Sequence, residues 1–374
     1  MELQQPDGIS TQLFNFGKTD YAKRGSLFLG EDPGLFDTVH DKFPEFGRMF
    51  KIMRTQDWDE TEFKFGKHKK DFLTRPKSVT GRMIKTLAWQ WEADSAAAKT
   101  IAYITAPFVT SSQLSRLWVR ITDNEALHAA TYSEIVRNSF DDPGVVLKEV
   151  MEVKEAMQRL AAVGKVMEHA YRISNELAAG KRKREDPETY DAILLFVCAL
   201  LCLERIQFMA SFAITFAIGA TGDFVEIAEA VKRICQDELE VHQVVDKMIL
   251  KHELSLPEGR AFWERNEEFV TTMVHEVVQS EWDWIDYLDL DNDPLAGVTS
   301  QMLKDRVAFD AGDVCAFMGI KPKFVVPRKN PASYMDKWID MSKIQNSNQE
   351  QNSGQYKLNI KEPTLGDSVL VVDF

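Results

Sequence analysis

The sequence predicts an all-α fold, a helical bundle with extra helices around it, and three observations carry that expectation. Between about residue 76 and residue 342, apolar residues recur in long stretches at helical spacing. Clusters of Gly, Pro, Asp and Asn separate those stretches. No alternation of strand-like and helix-like runs appears, which argues against a parallel sheet and leaves a bundle.

In chain order, residues 1–75 are rich in Phe, Gly, Asp and Lys and read as an irregular segment of loops and short elements packed on the bundle. Residues 76–342 read as the helical domain. Within it, Asp141-Asp142-Pro143-Gly144 closes one helix. Asp186-Pro187 opens another, with Asp as N-cap and Pro in the first turn, and Gly219 and Gly222 end it. Leu256-Pro257-Glu258 and Asp291-Asn292-Asp293-Pro294 punctuate the later helices. Residues 343–374 change character. Gln345 to Gln355 is almost wholly polar, which predicts a disordered tail, and the chain closes on Ser368-Val369-Leu370-Val371-Val372-Asp373-Phe374. An apolar peptide after a polar leash is either an edge strand on the core or a docking peptide for a partner.

The composition narrows the function classes. With 374 residues, 44% of them hydrophobic and 28% charged, the chain reads as a globular protein. A formal charge of −13 argues against a nucleic-acid surface, which needs clustered Lys and Arg. The short run Lys181-Arg182-Lys183-Arg184 lies beside Pro187 and reads as a solvated loop. Cys198, Cys202, Cys235 and Cys315 sit in apolar helical contexts, as buried reduced thiols do. No charged-then-apolar leader opens the sequence, so a cytoplasmic location is expected.

A membrane span is tested by Ala192 to Leu203, twelve consecutive apolar residues, and by the apolar run that resumes after Gln207. Neither half reaches the roughly 20 residues that cross a bilayer. Joined, they place Glu204 and Arg205 at mid-membrane, which is costly, so a core helix fits better. A carboxylate inside such a helix must be paired, protonated or bound to a metal.

That carboxylate has company. Of seven histidines, two follow a glutamate by one helical turn within a helical pattern: Glu125-Ala-Leu-His128 and Glu238-Leu-Glu-Val-His242. Residues three or four apart share a helix face, so each pair offers a carboxylate and an imidazole together. Two such pairs are half of a carboxylate-bridged di-metal site, which takes one further carboxylate from each of two more helices. Glu204 is one candidate, and Asp94, in Trp91-Glu92-Ala93-Asp94-Ser95, is the other. Asp94, Glu125, Glu204 and Glu238 supply four negative charges, which balance two divalent ions with both histidines neutral. Oxygen and imidazole donors suit iron or manganese and a reaction with dioxygen. A single Glu–His pair is most often a surface ion pair; two of them plus a carboxylate in an apolar run are not.

The segment Glu125-Ala-Leu-His128-Ala-Ala-Thr-Tyr132 resembles the small (beta) subunit of class I aerobic ribonucleotide reductase. The resemblance spans most of the chain. Asp94-Ser95 stands 31 residues before Glu125, Glu204 to Phe212 is similar to the third-ligand helix, and Asp237-Glu238 with His242 to the last. Asn330-Pro331 and Trp338 are similar to the final helix before the tail. The resemblance implies a ferritin-like bundle and a di-iron site, manganese being possible, held by Asp94, Glu125, His128, Glu204, Glu238 and His242. It implies a stable radical on Tyr132, reached by dioxygen activation, inside an apolar sleeve of Phe208, Phe212 and Ile234. It further implies a relay through Asp237, Trp58 and Tyr356, with Glu350 beside it, and a homodimer that docks to the large subunit through residues 366–374. The large subunit reduces ribonucleotides to deoxyribonucleotides.

One departure stands out. The family usually has Glu-x-x-His at the last pair, where this chain has Glu238-x-x-x-His242. Three-residue spacing from His242 meets Leu239, which cannot ligate, and Glu240 lies on the opposite side of a regular helix. Glu238 is therefore the expected ligand, through four-residue geometry or a local π-bulge. Two rival readings share the architecture: a di-iron oxygenase or oxidase, and a ferritin-like iron-binding protein.

Overall fold

A computed structural model describes residues 25–31, 34–295 and 297–339. Among these, helices dominate, and the only β pairings are the isolated bridges Phe28–Val109 and Leu295–Val298. The helices are α1 (Pro44–Thr55), α2 (His68–Thr74), α3 (Lys77–Thr105), α4 (Ser112–Ser139), α5 (Pro143–Met151), α6 (Lys154–Arg159) and α7 (Ala161–Ala178). They continue with α8 (Pro187–Cys202), α9 (Met209–Ala220), α10 (Val225–Asp237), α11 (Gln243–Glu253), α12 (Pro257–Tyr287), α13 (Ser300–Met318) and the short α14 (Asp336–Ile339). A π-helical turn, Leu203–Gln207, lies between α8 and α9, and a second, Glu238–His242, lies between α10 and α11.

Four helical rods form a closed ring. α3 packs along α4, α4 meets α10, α10 packs on α9, and α9 returns to α3, while the two π turns touch each other at the centre. α7 covers α3 and α8, and α12 and α13 close the far side. The rod Pro187–Ala220 is long and apolar enough to cross a membrane, but 94% of its most apolar stretch is buried in the fold, so it is a core helix.

Local chemistry sets the ends of the rods. Ser111 caps α4 by accepting from the Leu114 amide, Asp142 caps α5 through Val145, and Thr299 caps α13 through Met302. Gly319, at φ 73°, ends α13 in the left-handed region, where a Cβ is strained. Gly259 is needed for another reason: a Cβ there would sit 1.9 Å from the Glu253 carbonyl oxygen, so only glycine lets α12 start against the end of α11.

Three expectations need adjustment. The stretch before residue 75 contains a three-turn helix, α1, because Phe46, Met49 and Met53 recur on one face and bury it. Asp186 stands at the N-cap of α8, yet its side chain makes no cap and instead accepts from the Lys183 amide, stabilising the preceding turn. In the Lys181–Arg184 run, Arg182 pairs with Glu176 and Glu188, and Arg184 donates to the Gly30 carbonyl, so half of that cluster is tied down. All four cysteines are free and buried.

Candidate metal centre

Each rod contributes a buried acidic group to the middle of the ring: Asp94 from α3, Glu125 from α4, Glu204 from the first π turn and Glu238 from the second. Their side chains are fully or almost fully buried, as are those of His128 and His242. Two sets of four can hold a metal ion: Asp94, Glu125, His128 and Glu238, and Glu125, Glu204, Glu238 and His242, with the donor atoms of each set within 4.8 Å of one another.

The two shared glutamates divide their oxygens between the sets. Glu238 turns Oε1 to His128 Nδ1 at 3.0 Å and Oε2 to His242 Nδ1 at 2.7 Å. Glu125 turns Oε1 to His242 Nδ1 at 3.0 Å and Oε2 to His128 Nδ1 at 3.6 Å. Asp94 and Glu204 each lie in one set, at opposite ends. Glu125 and Glu238 would thus serve both metal positions, and Asp94 and Glu204 one each.

The chemistry of the donors fits a metal pair. Both oxygens of Asp94, Glu125 and Glu238, Oε2 of Glu204, and Nδ1 of both histidines are buried with no well-aligned hydrogen bond, and the imidazoles and glutamates among them meet only as ion pairs with one another. So many orphaned donors at one point would be costly unless a cation satisfied them. Without metal, protons compensate. Burial, then Glu125, pushes Asp94 well above the usual carboxylate range, and burial, then Glu238, does the same to Glu204. Burial opposes charge on the histidines, but contacts with Asp237, Glu125 and Glu238 raise His128, and the field of Glu238 and Glu125 pushes His242 up to about 10. Burial alone would raise Glu238, yet His242 and His128 hold it low. Metal must displace these protons, so affinity falls as pH falls.

The outer nitrogens of the histidines are engaged as well. His128 Nε2 lies 3.1 Å from Asp237 Oδ2, which also accepts from Trp58 Nε1 at 2.8 Å. The Trp58 and His128 rings stack, 5.9 Å apart and 17° from parallel. His242 Nε2 lies 3.0 Å from Oδ1 of Asn124, whose Nδ2 donates to Asp237 at 3.1 Å. Asn124 was not singled out from the sequence, because a lone amide beside Glu125 has no spacing signature.

The second π turn supplies the extra residue between Glu238 and His242, and the two side chains meet despite the four-residue spacing. Glu240 points elsewhere and accepts from Gln56 Nε2 at 3.3 Å. Glu238→Ala is therefore expected to abolish tight metal loading, and Glu240→Ala to leave it near native, as counted by bound metal per chain. The reverse result would overturn the assignment at this pair.

The first π turn was not anticipated, and a buried clamp adjoins it. Arg159, at the end of α6, donates to the Gln207 carbonyl at 2.7 Å and to Ser211 Oγ at 3.2 Å, while Gln207 Nε2 returns a bond to the Arg159 carbonyl at 2.6 Å. Glu281 of α12 binds the guanidinium through both oxygens, at 2.8 and 2.6 Å. The rings of Trp89 and Trp284 lie 3.9 and 4.5 Å from it. Breaking a buried pair by removing one partner typically costs about 3–5 kcal/mol. Arg159→Met should lose roughly that much in chemical denaturation, and a loss under about 1 kcal/mol would mean that the clamp is not needed.

Tyr132 lies one turn past His128 on α4 and is wholly buried, in the same core as Phe208, Phe212 and Ile234. Burial, then the charges of Asp94 and Glu238, pushes its phenol well above the usual range. Its Oη has no well-formed hydrogen bond. Tyr356, Glu350 and residues 366–374 lie outside the described residues.

Comparison with known proteins agrees with this fold. A family model described as "Ribonucleotide reductase, small chain" matches residues 36–331. The ribonucleoside-diphosphate reductase 1 subunit beta of Escherichia coli O157:H7 is 21% identical over 356 residues, covering 92% of this chain and 94% of the relative. The subunit beta of Enterobacteria phage T4 is 20% identical, covering 96% and 98%. Among solved structures, the ribonucleotide reductase R2 subunit from Clostridium botulinum superposes with a TM-score of 0.75 at 19% identity, covering 88% of this chain and 98% of that one. The dimanganese(II)-NrdF of Streptococcus sanguinis gives 0.65 at 14% identity, covering 81% and 98%. With the family model spanning most of the four-rod ring and all six candidate ligands, the chain belongs to the small-chain family of ribonucleotide reductase.

Proposed function

We propose that the chain is the radical-generating subunit of a ribonucleoside-diphosphate reductase, in which Asp94, Glu125, His128, Glu204, Glu238 and His242 hold two iron ions. The carrying observation is the division of the Glu125 and Glu238 oxygens between two buried four-donor sets. Manganese shares these donors, and the optical test below separates the two. The bound pair supplies oxidation by dioxygen, and the rest is the work of the chain.

Tyr132 is the group oxidised. Its phenol is held protonated by burial and by the surrounding carboxylates, so losing an electron requires passing its proton to a nearby base. Tyr132 is wholly buried, which keeps water and reductants from its ring, and the family's apolar sleeve would fall to Phe208, Phe212 and Ile234, which are buried in the same core. Asp237 joins His128 to Trp58 by hydrogen bonds of ordinary length and so forms the inner end of a relay. Tyr356 continues that relay toward the large subunit. The large subunit reduces the ribonucleotide, and residues 366–374 dock to it from a homodimer of this chain.

The test is the optical spectrum of metal-free protein after Fe(II) and air are added. A sharp tyrosyl band together with the broad absorption of an oxidised di-iron centre is the expected result. Iron bands without a tyrosyl band would favour an oxygenase or iron-binding role. A radical formed only with manganese would correct the metal.

A further inference from the structure

We propose that Asn124 is a positioning residue of the di-metal site, orienting His242 toward the second metal position and tying that imidazole to the Trp58–Asp237 pair. The inference rests on the di-metal reading and concerns a residue outside the ligand set. Asn124 is buried on α4, one position before Glu125.

Hydrogen-bond direction fixes the amide. Asp237 Oδ2 accepts from Trp58 Nε1, so the atom of Asn124 that lies 3.1 Å from it must be the donor Nδ2. Oδ1 is then the end facing His242 Nε2 at 3.0 Å, and it can only accept. A proton is therefore required on Nε2 of His242. Once a metal displaces the second proton, the lone pair is on Nδ1, which faces Glu125 Oε1 and Glu238 Oε2. A partner on the outer nitrogen thus fixes the tautomer and the ring plane of a metal-binding imidazole.

The two imidazoles are held differently. His128 leans on a carboxylate, Asp237, whereas His242 leans on a neutral amide. Asp237 keeps two other donors, Trp58 and His128, if Asn124 is lost. His242 has no second hydrogen-bond partner on Nε2 among the described contacts. Loss of the amide should fall mainly on the metal position that His242 serves.

Mn(II) binding to the metal-free full-length chain, followed by paramagnetic resonance of the free ion, tests this. The native chain is expected to bind two equivalents. Asn124→Leu, similar in volume but without polar atoms, should weaken one equivalent by about 10- to 100-fold and leave the other near native. Asn124→Gln keeps both an acceptor for His242 and a donor for Asp237 and should hold both equivalents nearer to native than the Leu variant does. Should the Leu variant fail to fold, Asn124→Ala takes its place in the same comparison. Native-like binding in the Leu variant, equal weakening of both equivalents, or equal loss in the Leu and Gln variants would each overturn the proposal. A native chain that binds no metal pair would instead sink the di-metal reading, and this inference with it.

Discussion

Replacing Tyr132 with Phe is expected to remove the radical and all ribonucleotide reduction while the metal site still loads. The ring is wholly buried and packs in the core, and Phe keeps that packing. The hydroxyl removed makes no well-formed hydrogen bond, so stability should change by no more than about 1 kcal/mol. No ligand is altered, because the donor sets do not include the phenol. What disappears is a group able to give up an electron and a proton together, since a phenyl ring has no ionisable proton. Optical and paramagnetic-resonance spectra after Fe(II) and air should show the iron bands alone. Retained activity in this variant would place the radical elsewhere.

The sequence made the site legible because metal chemistry forces particular residue types into particular spacings. Glu125-x-x-His128 and the buried Glu204 stand out against apolar helices, and the structure places them with Asp94, Glu238 and His242 at one point. Trp58 and Asp237 were legible only through the resemblance, and the structure joins them by a 2.8 Å bond. Other features left no trace. Arg159 and Glu281 are 122 residues apart and find each other only in the folded core. Asn124 earns its place from a three-dimensional hydrogen-bond path between helices. The helix α1 was underread because Gly and charged residues thin its pattern, although Phe46, Met49 and Met53 mark a single buried face.

Both π turns fall at ligand positions, and that coincidence has a physical reading. A π turn fits one more residue into the rod than regular winding does, which rotates the following side chains relative to those before it. At Glu238–His242 it absorbs the four-residue spacing and still brings His242 Nδ1 within 2.7 Å of Glu238. At Leu203–Gln207 it carries Glu204, and the Arg159 clamp grips the end of the same turn. The two distortions thus fall at candidate ligands, and the first of them also packs against α12.

Deleting residues 366–374 is expected to leave the metal pair and the Tyr132 radical intact and to abolish ribonucleotide reduction. The described core ends at Ile339, and all six candidate ligands and Tyr132 lie before it, so the deletion touches none of them. The segment removed contains Val369, Leu370, Val371, Val372 and Phe374, the only strongly apolar run after the polar stretch Gln345 to Gln355. Burying an aliphatic or aromatic side chain contributes roughly 1.5–3 kcal/mol. Two or three such anchors would contribute several kcal/mol before the cost of ordering the peptide, and a micromolar affinity, about −8 kcal/mol, is the level at which the tail is expected to bind. On the proposed docking role, loss of that contact should keep the two subunits from holding together long enough for the proposed relay through Tyr356, so turnover should stop although the radical persists. A synthetic peptide of residues 366–374 should compete with the intact chain and inhibit at micromolar concentration. Full activity of the truncated chain with its large subunit, or loss of the radical on truncation, would show that this segment serves the core rather than the partner.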